Sequence, residues 1–178
     1  MEIRGYVANL GKYNEGEIIG EWVTFPVDED EWGEVLQRIG ISDEPDENGI
    51  IYDECFFADW CCDCDFGFGE CEDVERVNEI AERCDSLNSY EEEELEAMVD
   101  YNFDPEEALD KIAGGDVLFY FDCDNMEDVA YQSVEKSGML AGVDDTIASF
   151  FDYEAYGRYL ETEGTFLPTK SGYIEVIG

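Results

Sequence analysis

The sequence predicts an α+β protein, a tandem of three small domains with a strongly acidic surface. Three observations lead there. Segments rich in Ile, Val and aromatic residues lie near both ends, capped helical periodicities fill the middle, and 48 Asp plus Glu stand against 9 Lys plus Arg in 178 residues. The formal net charge is -39 and there is no His. Hydrophobic residues still make up 44% of the chain and aromatics 14%. Disordered acidic chains are poor in both, so this one has the material for a core and must carry its charge outside it.

The elements follow in order. EIRGYVANL (2–10) and EIIGEWVTF (17–25) read as two strands joined by the turn segment GKYNEG. Asp28 with Glu31 is a capping-box pattern, and Trp32, Val35, Leu36 and Ile39 recur at helical spacing before Gly40, which predicts a helix over 29–39. After the loop SDEPDENG, IIYDECFFADW returns as a strand. These pieces form the first domain, 1–61: a small sheet with a helix.

CCDCDFGFGEC (61–71) is irregular, and Val74, Val77, Ile80, Ala81 and Cys84 then mark a helix near 72–85. Ser89 with Glu92 opens another, whose inner face is Leu95, Met98 and Val99. Asp104-Pro105 with Glu107 opens a third; Pro suits the first helical position, where its missing N–H costs nothing. Ala108, Leu109 and Ile112 face inward, and Gly114-Gly115 ends it. Residues 62–113 thus read as a helical middle domain.

In the third domain, 114–178, DVLFYFD (116–122) reads as a buried strand. Asp124 with Glu127 caps a helix that presents Met126, Val129, Ala130 and Val134 and stops at Gly138. GVDDTIASFFDYEAYGRYLE suggests one or two short helices, and GTFLPTKSGYIEVIG a closing pair of strands.

Charge of this sign bounds the partners. Phosphate contacts need clustered Lys and Arg, so direct nucleic-acid binding is excluded, and so is an anionic membrane surface. The fitting partner is a strongly basic protein surface, reached by attraction that salt weakens. No apolar stretch approaches the ~18 residues of a membrane span, and the N-terminus is no secretory signal, so a cytoplasmic protein with mostly free thiols is expected.

The acidic residues are not confined to one patch. SYEEEELEAMVDYNFDPEEALD (89–110) has ten carboxylates and no basic residue. A solvated helix face explains any one run, and the helix dipole favours negative charge in a first turn. The total is another matter, because self-repulsion on this scale destabilises a fold and scattered lysines would relieve it. At the charge density of B-DNA, one per about 1.7 Å, 39 charges match about 66 Å of duplex. A halophilic cytoplasm and a polyanion-like surface both fit such a total; the seven Cys and many aromatics disfavour the first.

RGYVANLGKYNEGEIIGEWVTFPVD (4–28), FDCDNMEDVA (121–130), GMLAGVDDTIASFFDYEAYGRYLE (138–161) and GTFLPTKSGYIEVIG (164–178) resemble, in order, segments of ArdA-type antirestriction proteins. The third, with FDYEAYGR at its centre, is similar to that family's antirestriction motif. The resemblance implies an elongated three-domain protein, usually a homodimer, that mimics bent DNA and occupies the DNA-binding cleft of type I restriction-modification enzymes. Such proteins are carried by conjugative plasmids and transposons. The segment CCDCDFGFGEC is longer and richer in Cys than the family pattern. The rival reading is a general acidic module binding nucleoid or other basic DNA-binding proteins.

On this reading the DNA-mimic surface draws on Asp43, Glu44, Asp46, Glu47, Asp63, Asp65, Glu91, Glu92, Glu93, Glu94, Glu96, Asp100, Asp104, Glu106, Glu107, Asp110, Asp144 and Asp145. The motif Phe150, Phe151, Asp152, Tyr153, Glu154, Ala155, Tyr156, Gly157 and Arg158 is expected at a domain or dimer interface. Phe150, Phe151, Tyr153 and Tyr156 have the spacing of an apolar seam, Gly157 permits close backbone approach, and Arg158 should pair with a carboxylate.

Metal and catalytic sites are not expected. C-C-x-C-x6-C lacks paired zinc knuckles, and DCDFGFGECEDV and DCDNMEDVAYQS lack the Gly and Glu of a calcium loop. There is no phosphate-binding loop, no G-x-S-x-G and no His for base work, so the sequence predicts neither enzyme nor cofactor.

Overall fold

The computed structural model describes residues 1–177. Gly178, the last residue of the expected closing strand pair, lies outside them. Among the described residues the chain forms eight helices and two three-stranded antiparallel sheets, and it divides into two compact units, Met1–Leu87 and Asn88–Gly178.

The first unit is built on β1 (Ile3–Asn9), β2 (Gly20–Phe25) and β3 (Cys55–Cys62), in the order β2-β1-β3. Alternation puts Ile3, Val7, Val23, Phe25 and Phe57 inside. Val35 and Ile39 bring the apolar stripe of α2 (Glu29–Arg38) into this core, and Val77, Ile80, Ala81 and Cys84 bring that of α3 (Val74–Asp85). Asp28 caps α2 by accepting from the Glu31 N–H, as its spacing predicts. Asn78 of α3 ties itself to the main chain of Val27 in both directions, at 2.8 Å each way.

Three local expectations change. The segment after β1 is not an open turn: its first residues form a short helix, α1 (Leu10–Asn14), started by Asn9, whose side chain accepts from the Lys12 N–H. Asn9 is fully buried, and its amide donates onward to the carbonyls of Ile39 and Gly40. The second strand begins at Gly20, not residue 17; Ile18 is 73% exposed. The third begins at Cys55, because Asp46 accepts from the N–H groups of Asn48 and Ile50 and turns the chain there, leaving Ile50 and Ile51 exposed.

In the second unit, β4 (Val117–Phe121), β5 (Thr165–Thr169) and β6 (Gly172–Val176) pair in the order β4-β6-β5. Helices lie on both faces. α4 (Ser89–Asp100) and α5 (Pro105–Gly114) bury Leu95, Met98, Ala108, Leu109 and Ile112. On the other side α6 (Met126–Ser137) and α8 (Tyr153–Glu163) pack with Tyr120, Cys123, Phe166 and Tyr173 around Val129 and Leu160. A four-residue turn of helix, α7 (Asp145–Ala148), precedes α8.

Here Asp104 caps α5 as expected, and Gly115 (φ 74°) and Gly138 (φ 65°) end α5 and α6 in the left-handed conformation that favours glycine. Two caps sit one residue earlier or later than the spacing predicts. Asn88, not Ser89, caps α4, with Glu91 completing the reciprocal box; Asn125, not Asp124, caps α6. The strand expected to be buried is the sheet's edge: β6 takes the centre, and Leu118 and Phe121 of β4 are 45% and 43% exposed. The middle helices divide between the units, α3 with the first and α4 and α5 with the second.

Candidate functional site: carboxylates and the aromatic motif

The acidic residues singled out by the sequence fall into three environments. Asp43, Glu44, Glu47, Asp63 and Asp65 of the first unit are exposed, as are Asp100, Asp104, Glu107, Asp110, Asp144 and Asp145 of the second. Asp46, Glu91, Glu92, Glu93, Glu96 and Glu106 are half-buried. Glu94 is buried, the one carboxylate so placed among the described residues.

Several of them hold the fold locally. Asp63 accepts from the Glu2 N–H at 2.8 Å, and Asp65 from the Gly67 N–H at 2.9 Å. Asp46 is held below the usual carboxylate range, first by the Ile50 N–H. Asp144 caps α7 through the Thr146 N–H. Asp63, Asp65 and Asp144 stay exposed while bonded, so they still present charge to solvent, whereas Asp46 is half-buried.

The run on α4 is more occupied than its composition suggests. Glu91 closes the capping box. Glu93 accepts both the N–H and the hydroxyl of Ser171, at 3.0 and 2.8 Å, pinning the β5–β6 turn to α4. Glu96 pairs with Lys170 at 2.7 Å. Glu94 is buried together with Leu95 and Met98, whereas Val99, expected on the inner face, is only half-buried. Burial, and after it the charge of Glu91, pushes the Glu94 carboxyl up to about 7. Helix periodicity puts position 94 beside 95 and 98 on one face; the net acidity of the run hid that assignment.

The aromatic motif is split. Asp152 caps α8 by accepting from the Ala155 N–H. Phe151 packs edge-on against Tyr153 and Tyr156, and Tyr153 reaches Tyr131 of α6. Phe150 leaves the seam and is 83% exposed. Gly157 is buried where α8 meets the start of α6: a Cβ there would lie 2.5 Å from the Met126 carbonyl oxygen. Arg158 pairs with Glu154 one turn earlier, at 2.6 Å, both well exposed. Ala155 is half-buried.

The seven cysteines are free thiols, from exposed Cys61 and Cys71 to buried Cys84 and Cys123. The Arg4 guanidinium donates to the Cys61 sulfur at 3.4 Å. Among the described residues no group of three or more Cys, Asp or Glu is placed to hold a metal ion, and no helix is long and apolar enough to cross a membrane.

What fold and surface define together is an acidic α+β protein of two small units, each an antiparallel sheet with packed helices, with most of its carboxylates facing solvent. Within that class the family is specific. The family model described as antirestriction protein (ArdA) matches residues 5–175, nearly the whole chain, and the chain belongs to that family. Its family is therefore one of non-catalytic antirestriction proteins, whose partners are restriction enzymes. No curated protein sequence matches the chain.

Proposed function

We propose that the protein is a stoichiometric DNA mimic that occupies the DNA-binding cleft of type I restriction-modification enzymes. Its exposed carboxylates take the positions of phosphates and engage the Lys and Arg that the cleft offers DNA. The observation that carries this reading is the net charge of -39 on a chain with well-packed cores. A fold that tolerates so much self-repulsion maintains a strong negative field, and a cleft built for duplex DNA is complementary to such a field. Acting as a homodimer, in the cytoplasm, from a mobile genetic element, belongs to the same proposal. So does the division into domains at 61 and 113.

Competition tests it. Increasing amounts of the protein should displace labelled duplex DNA from a purified type I enzyme and inhibit restriction in proportion to concentration. The inhibition should weaken as salt rises, because interactions between exposed charges are screened. Displacement that is indifferent to salt refutes the electrostatic basis. Binding to nucleoid proteins with restriction left intact would favour the general acidic module instead.

A further inference from the structure

In the first unit, α1 and the start of β3 line an open cavity of about 540 Å³, within the size range of ligand pockets. Two aromatic rings form one wall: Tyr13, 51% exposed, and Phe56, with centroids 5.1 Å apart and planes inclined at 59°. Exposed Asp53, Glu54 and Glu70 stand around them. Main-chain bonds hold the walls in place, the Leu10 N–H to the Glu54 carbonyl at 3.0 Å and the Phe57 N–H to the Glu70 carbonyl at 2.8 Å.

These three carboxylates differ from their neighbours. Glu15 is engaged by Lys12 and Tyr52, Glu21 by Arg38, and Glu72 by Arg76. The side chains of Asp53, Glu54 and Glu70 have no hydrogen bond or ion pair among the described residues. An aromatic wall with uncompensated negative charge at its rim selects a flat cation. Guanidinium meets this better than ammonium: it stacks on a ring face while its fork of N–H donors reaches carboxylates at the edge.

We propose that this cavity receives an arginine side chain of the basic partner, giving the diffuse field one fixed anchor. The proposal rests on the reading of a DNA-binding protein as the partner. Anchoring of this kind supplies register, which a smooth charge distribution does not.

The test uses the full-length protein and N-acetyl-arginine amide, with N-acetyl-citrulline amide as a neutral probe of the same shape, followed by NMR in about 0.15 M salt, where long-range attraction is largely screened. The ring resonances of Tyr13 and Phe56 should shift saturably with the arginine probe and respond about tenfold more weakly to citrulline. The triple variant Asp53→Asn, Glu54→Gln, Glu70→Gln, checked for an unchanged amide spectrum, should lose about tenfold in arginine affinity. Equal binding of the two probes, or arginine shifts spread over the carboxylates without saturation at the two rings, overturns the proposal; neither comparison needs a variant. Restriction assays separate the two readings. A protein that inhibits restriction but ignores the arginine probe removes only the anchor. One that binds the probe here and leaves the type I enzyme uninhibited removes the DNA-mimic reading and leaves the cavity as an arginine site.

Discussion

Glu94→Gln isolates the cost of one misplaced charge. The carboxyl sits on the inner face of α4 beside Leu95 and Met98, and its folded-state pKa of about 7 lies above the ordinary 4.5. A folded chain therefore keeps a proton that the unfolded chain has released over that interval. Stability from this group is complete below about pH 4.5, is lost as pH rises through about 7, and is level above that. The interval is about 2.5 pH units, and at about 1.4 kcal/mol per unit the loss near pH 8 comes to at most about 3.5 kcal/mol. Glutamine has the same shape and cannot ionise. Denaturant unfolding should find the variant within about 1 kcal/mol of wild type near pH 5 and about 2–3 kcal/mol more stable near pH 8. An equal difference at both pH values, or a variant less stable at pH 8, would refute the argument: it would mean that ionised Glu94 is stabilised by a partner or by water.

Three further outcomes follow from contacts in the second unit. Gly157→Ala forces a methyl against the Met126 carbonyl, a main-chain atom with no freedom to swing aside, and should cost about 1–3 kcal/mol in a thermal melt. Ser171→Ala removes the hydroxyl bond to Glu93 and should cost about 1.5 kcal/mol by denaturant titration; Lys170→Ala, which breaks only an exposed ion pair, should cost less than about 1 kcal/mol in the same assay. Phe150→Ser should leave the melting temperature nearly unchanged, within about 0.5 kcal/mol, since the ring is 83% exposed; Phe151→Ser, whose ring packs on Tyr153 and Tyr156, should lower it clearly.

Much of this molecule is legible one element at a time. Apolar spacing and capping chemistry act within a few residues, so α2, α3, α5, α6 and the closing hairpin follow from the sequence almost to the residue. Where Asn competes with an adjacent Ser or Asp for a cap, as at positions 88 and 125, the local pattern is nearly degenerate and the chain shifts by one. Composition also determines something tertiary structure does not alter: 48 acids among 9 bases make a negative field wherever the residues land.

What the sequence could not assign is which carboxylates are spoken for. The run from Glu91 to Glu94 looks like one solvated patch, yet one of its members completes a cap, another grips a hairpin turn 78 residues away and another lies in the core. The central place of β6 likewise makes an edge of the strand that looked most buried. Both outcomes depend on long-range pairing. A side chain's charge is local information, whereas its partner and its access to water are set by segments that come together only when the sheet forms.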